Sequence, residues 1–163
     1  MKKYYAGIGS RETPEEILEL MTKIAKKLEE KGYILNSGGA DGADAAFAKE
    51  VKNKQIFIPW EGFNGIEDGI CDLRKEMYEL AENMHPAWDK CSDGAKKLHA
   101  RNTQQVLGRD LKTPVKFVIC YTKDGKKKGG TATAIKLAEN NNIPVTNLGI
   151  KEDLEKALKF IED

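Results

Sequence analysis

Ser37-Gly38-Gly39-Ala40-Asp41-Gly42-Ala43-Asp44 follows a strand-like run, Tyr33 to Asn36, and leads into Ala43 to Val51, an alanine-rich stretch of helical propensity. A glycine-rich turn between strand and helix offers free backbone N–H groups to an anion and lacks the Cβ atoms that would hold a ligand away. The same punctuation recurs outward from it. Upstream, Tyr4 to Ile8 reads as a strand ending in Gly7-Ile8-Gly9-Ser10-Arg11. Downstream, Val115 to Tyr121 is a nearly continuous apolar run of the kind buried in parallel sheets. A loop, Thr122 to Lys128, then brings the chain to Gly129-Gly130-Thr131 at the head of a helix predicted over Thr131 to Asn140.

The remaining segments fit between these. Thr13-Pro14-Glu15-Glu16 has the form of an N-cap, an N1 proline and a capping-box glutamate. Ile17, Leu20, Met21, Ile24 and Leu28 recur at helical spacing up to a C-terminal Gly32. Gln55 to Ile58 is a third strand, which completes a βαβαβ rhythm. An elaborated insert at about 59–92 follows, with a helix over Asp72 to Asn83 and a break at Met84 to Trp88. Asp93 to Leu107 reads as a helix, and Lys97 to Gly108 lacks a strong apolar stripe, so some of its polar side chains should face a cleft or else form plain helix surface. Pro144 to Asn147 and the Leu154, Ala157, Leu158, Ile161 stripe supply a last strand and helix. The expected fold is α/β: a Rossmann-like, open, mainly parallel sheet with helices on both faces, in one domain over 1–163.

Composition narrows the function classes. The 163 residues are 40% hydrophobic and 33% charged, ordinary for a globular protein. No run approaches the roughly 18 apolar residues of a membrane span, and no signal-peptide pattern stands at the start, so a cytoplasmic protein is expected. The 27 basic and 26 acidic residues leave a net charge of +1, too little for a global field that attracts nucleic acid. Any phosphate site must therefore be local. Cys71, Cys91 and Cys120 are odd in number and widely spaced, which argues for reduced thiols. A metal site from His85, His99 and the cysteines would require a fold that happens to gather them, so neither a metal nor a cofactor is expected. Ser10 and Ser37 lie in no nucleophile elbow.

Candidate binding residues follow from the strand ends, since open α/β sheets bind ligands beyond the carboxyl ends of their strands. Gly9, Ser10, Ser37, Gly38, Gly39, Gly129 and Gly130 offer backbone donors, Thr131 adds a hydroxyl, and Arg11 suits a bidentate phosphate contact. Asp41 and Asp44 suit a ribose hydroxyl or a base N–H, or else cap the helix. Arg101 and Asn102 are the polar pair of the cleft-facing helix. Trp60, with Phe63 and Trp88, is a candidate to stack on a base, or to fill a core. Each glycine cluster has a plainer alternative as a tight turn, Lys126-Lys127-Lys128 as a solvated loop, and Arg11 as a surface partner of Glu12 or Glu15.

Taken together, Tyr5-Ala6-Gly7-Ile8-Gly9-Ser10-Arg11, the Ser37 to Asp44 stretch, Ala100-Arg101-Asn102, and Gly129-Gly130-Thr131-Ala132-Thr133-Ala134 followed by Ile143-Pro144-Val145 resemble the SLOG superfamily. This Rossmann-like group is named for Smf/DprA and LOG, and the similarity is greatest to its YspA, or cpYpsA-related, single-domain members. The resemblance implies a pocket for a small nucleotide or a nucleotide-derived, cyclic ADP-ribose-like ligand, in a sensor or a sequestering protein of signalling nucleotides. It implies Gly9, Ser10, Arg11, Ser37, Gly38, Gly39, Asp44, Arg101, Asn102, Gly130 and Thr131 as the pocket, and a homodimer or higher homo-oligomer. Similar proteins are often encoded by bacteriophages. LOG-type phosphoribohydrolases carry P-G-G-x-G-T-x-x-E, whereas Gly129-Gly130-Thr131 here runs into Ala132-Thr133-Ala134 without the second glycine or the glutamate. An N-glycoside hydrolase or deoxyribosyltransferase acting on nucleoside phosphates is the second reading, with Asp44 as its first candidate carboxylate and Asp41, Glu61 or Asp89 behind it. DprA-like binding of single-stranded DNA is the third.

Overall fold

The computed structural model describes residues 2–163. Five strands, β1 (Lys3–Gly7), β2 (Tyr33–Ser37), β3 (Lys54–Ile56), β4 (Val118–Cys120) and β5 (Val145–Asn147), form one sheet in the order β3-β2-β1-β4-β5. Every pairing is parallel, so the fold is a Rossmann-like α/β sheet. From β1 the chain steps outward to β3, then crosses to the other side of β1 and steps outward again to β5. The order therefore reverses between β1 and β4. Helices diverge on either side of such a reversal and leave a crevice at the carboxyl ends of the two strands.

Side-chain alternation along β1 divides the core. Tyr5 points to the face covered by α1 (Glu15–Glu30), α2 (Ala43–Ala48) and α6 (Lys151–Glu162), where Met21, Ile24, Leu35 and Phe47 are also buried. Ala6 and Ile8 point to the face covered by α3 (Lys75–Met84), α4 (Asp93–Leu107) and α5 (Thr131–Asn140), with Val106, Val118, Ile135 and Leu137. Burying a side chain such as Phe47 stabilises the fold by roughly 2–3 kcal/mol. A third cluster of Ala40, Ile58 and Phe63, flanked by Ile66 and Leu98, fastens the insert to the end of β2. No helix among the described residues is long and apolar enough to cross a membrane.

Several boundaries differ from the sequence expectation, each for a local reason. Thr13 does not cap α1, because its hydroxyl donates to the Ser10 carbonyl at 2.6 Å in the turn after β1. The Pro14 carbonyl instead accepts the N–H groups of Ile17 and Leu18. Helix α3 starts at Lys75 and not at Asp72, whose carboxylate is held by Arg74 at 3.1 Å and Arg109 at 2.9 Å. Strand β3 ends at Ile56, after which Phe57 bridges to Ile70 and the Ile58 N–H donates to the Ile70 carbonyl at 2.9 Å. Strand β4 is confined to Val118–Cys120, because Val115 has turned away to donate to the Val106 carbonyl.

Candidate functional site

A cleft of about 850 Å³ opens at the reversal between β1 and β4. One wall is the turn after β1, from Ile8 to Glu12. Its opposite wall is the loop after β4, with Thr122, Lys123, Asp124, Lys126 and Lys128, ending at the head of α5. Helix α4 closes the side with Leu98, His99, Arg101, Asn102 and Gln105, and Asp44 lies at the floor. Of the residues proposed from sequence, the fold brings Gly9, Ser10, Arg11, Asp44, Arg101, Asn102, Gly129, Gly130 and Thr131 to this one cleft.

Five other candidates lie outside its lining. The Ser37 hydroxyl is buried and donates to the Gly7 carbonyl at 2.6 Å. A Cβ on Gly38 would stand 2.2 Å from Gln105 Nε2 and 2.8 Å from Arg101 Nη1, and one on Gly39 would run into Ile66. These two glycines admit neighbouring side chains of the protein itself. Asp41 is exposed and accepts from Asn64 Nδ2 at 3.0 Å. The Trp60 ring packs edge-on against Phe63, 5.3 Å between centroids, on the insert. Glu61 and Asp89 also lie outside the lining.

Hydrogen bonds set the turns on either side of the cleft. The Ser10 N–H donates to the Tyr121 carbonyl at 3.1 Å, which ties the end of β1 to the end of β4, and Ser10 Oγ accepts the Glu12 N–H at 3.0 Å. Asn147 holds the β4 end, accepting the Thr122 N–H with Oδ1 and donating from Nδ2 to Thr122 Oγ1 at 2.8 Å. At α5, no side chain among the described residues caps the helix, and of the first-turn N–H groups that of Ala132 donates to the Gly129 carbonyl at 3.3 Å. Gly129 and Gly130 are exposed, and a Cβ on either would meet nothing within 4 Å. Lys127 is drawn off by Glu139 at 2.6 Å, while Lys126 and Lys128 face the cleft.

Arg101 and Asn102 act as braces as much as lining. Arg101 Nη1 donates to the carbonyls of Gly38 and Phe57, and Nε donates to Asn102 Oδ1 at 3.0 Å. Asn102 Nδ2 in turn donates to the Gly130 carbonyl at 2.8 Å. Two consecutive residues of α4 thus link the β2–α2 turn, the end of β3 and the head of α5. This explains the polarity of α4, which buries every residue from His99 to Leu107.

Charge in the cleft is locally basic, although the chain is almost neutral. Arg11, Arg101, Lys123, Lys126 and Lys128 face Glu12, Asp44 and Asp124, five basic groups against three acidic ones. Burial pushes Asp44 up to about 6, against the pull of Arg101, the Ala40 and Gly9 N–H groups and Arg11. Burial also brings Arg101 down to about 10, which leaves it charged at neutral pH. His99 is pushed down to about 4 by burial and by its neighbours His85 and Arg101, so its ring is neutral at pH 7. Sequence reasoning did not place His99 in the cleft wall. Its position on the same helix face as Asn102, three residues along, was the available signal.

No family model matches the sequence, and no curated protein matches it. Among solved structures, the fold is similar to that of DNA processing protein A from Helicobacter pylori, a structure described for its mode of single-stranded DNA binding. The two superimpose with a TM-score of 0.61 at 18% identity, over 98% of this chain and 79% of the other. At that identity the likeness is one of fold.

Proposed function

We propose that the chain is a SLOG-type protein of the YspA kind that binds a small nucleotide or nucleotide-derived ligand at the β1/β4 cleft, to sense or sequester it. The observation that carries this reading is the meeting of the uncapped head of α5 with Lys126, Lys128 and Arg11 across one cleft. Helix N-terminal amides and cations together favour phosphate oxygens. In this reading Gly129, Gly130 and Thr131 hold one phosphate and the Ser10 hydroxyl and Arg11 another, with Gly9 keeping the approach to them free of a side chain. Asp44 accepts from the sugar or base, and the cleft's volume lies within the range of small-molecule sites.

One observation favours the enzyme reading as the alternative. A buried carboxyl at about 6 on the floor of a locally basic cleft is the kind of group that supports acid–base or oxocarbenium chemistry near neutral pH. The fold's likeness to DNA processing protein A keeps single-stranded DNA as the third reading. One experiment separates the three. Calorimetric titration with a panel of mono- and dinucleotides, ADP-ribose and a short oligodeoxynucleotide is followed by chromatography of the mixtures. Unchanged mononucleotide with measurable affinity supports the proposal, released base supports the N-glycosidase, and selective oligonucleotide binding supports the third reading. Absence of any binding below millimolar concentration overturns the proposal.

A further inference from the structure

We propose that His85, Cys91 and His99 form a metal site for a divalent ion of the zinc class, which clips the insert to α4. The residues come from three successive pieces of chain. His85 directly follows α3, Cys91 directly follows the 3-10 turn Trp88–Lys90, and His99 lies on the second turn of α4. One donor atom from each lies within 4.8 Å of the others. His85 Nε2 stands 3.7 Å from Cys91 Sγ, close to the roughly 3.6 Å between a nitrogen and a sulfur on one tetrahedral zinc. The turn between His85 and Ser92 is irregular and joins two helices, so this segment rather than α4 supplies the small closure a bound ion requires.

The surroundings fit a ligand set as well as the distances do. His99 Nδ1 is 2.9 Å from Thr133 Oγ1 on α5, a hydroxyl that orients the ring and can accept an Nδ1 proton when the other ring nitrogen holds an ion. The buried Trp88 ring flanks both imidazoles, 6.4 Å from each centroid, and supplies an apolar wall. His85 needs one change. Its Nδ1 accepts the Ala87 N–H at 3.1 Å, so in the free protein the ring proton sits on Nε2, facing the sulfur. Metal binding places the ion at Nε2, moves that proton to Nδ1 and releases the Cys91 thiol proton to solvent. The net reaction is uptake of one divalent ion and loss of one proton. Its cost is two hydrogen bonds to Ala87, one accepted by His85 Nδ1 and a weak one donated by the Cys91 thiol, small beside the binding strength of a thiolate–imidazole zinc site.

Two imidazoles and a thiolate select zinc or cobalt over magnesium or calcium. Three protein ligands leave a fourth position to water. His99 also lines the β1/β4 cleft, so the ion would reinforce that wall whatever the cleft binds.

The test uses the full chain with zinc or cobalt ions alone. Competition against a chromophoric chelator should show one equivalent of zinc, and cobalt should give tetrahedral visible bands together with a near-ultraviolet sulfur charge-transfer band. Cys91→Ser, at a half-buried position that tolerates the change, should abolish the charge-transfer band and weaken zinc on the order of 100-fold, whereas Cys71→Ser should change neither. Thr133→Val should weaken zinc by about tenfold, as loss of a supporting hydrogen bond does. Zinc should raise the melting temperature of the native chain but not that of Cys91→Ser. Survival of the charge-transfer band in Cys91→Ser, or equal zinc affinity in the native chain and a His85→Ala/Cys91→Ser variant, overturns the proposal.

Discussion

A methyl group placed on Gly130 meets no atom within 4 Å, and the residue's φ of −64° and ψ of −30° already suit any helical residue. Gly130→Ala should therefore leave stability unchanged or raise it by up to about 1 kcal/mol. The same methyl occupies the space a phosphate oxygen would take at the head of α5. Calorimetry should show nucleotide affinity reduced by about tenfold or more, with the melting temperature intact; full affinity would place the ligand elsewhere. Asp44 offers a test by pH. Burial raises it from 3.8 to about 6, so the folded state holds the proton more tightly than the unfolded chain. Its contribution to stability is present below about pH 4 and lost as pH rises through about 6. His99 works in the opposite sense, its contribution being present above about pH 6.5 and lost as pH falls through about 4. Asp44→Asn isolates the first effect. Between about pH 4 and pH 7, urea unfolding should show the variant gaining about 2 kcal/mol relative to the native chain, and a flat difference contradicts the assignment.

Helix α4 is the element on which the cleft depends, because Arg101 and Asn102 tie it to three separate loops. Asn102→Ala removes the donor to the Gly130 carbonyl and the acceptor of Arg101 Nε, which should cost about 1–3 kcal/mol. Hydrogen exchange should quicken at the first turn of α5 in this variant while the central strands stay protected; unchanged exchange there would deny the brace. Gly38→Ala forces a methyl against Arg101 and Gln105 and should destabilise the chain by about 1–3 kcal/mol in the same unfolding assay. This is where reading the sequence reached its limit. The missing apolar stripe of α4 correctly pointed to polar side chains turned toward a cleft. Glycines that leave a surface open and glycines that make room for a neighbouring side chain look alike in sequence, so Gly38 and Gly39 read the same way as Gly129 and Gly130. Trp60 was similarly ambiguous, since a loop aromatic can serve a ligand or, as with Phe63, its own insert.

At the scale of the molecule, the reversal of strand order between β1 and β4 places turns from both ends of the chain beside each other. That strand-end turns open onto one edge was legible, because they carried glycine or polar punctuation at Gly9-Ser10-Arg11 and Gly129-Gly130-Thr131; the strand order was not, since the crossover that reverses it is the long insert between β3 and β4. The meeting of His85, Cys91 and His99 was not legible, because their spacing matches no local ligand pattern and their proximity depends on how α3 packs on α4. Charge at this scale also separates the readings of function. A mononucleotide carries no condensed counterion atmosphere and should show a shallow salt dependence, whereas a single strand should lose affinity with a slope of about −0.7 per phosphate contacted. The most direct measurement is amide nitrogen–proton NMR of the labelled chain during titration with AMP and ADP-ribose. The largest shifts should fall on Gly9 to Arg11 and Gly129 to Ala132, with smaller ones at Asp44. Shifts confined to other surfaces, or none at millimolar ligand, would contradict a nucleotide cleft at the β1/β4 reversal.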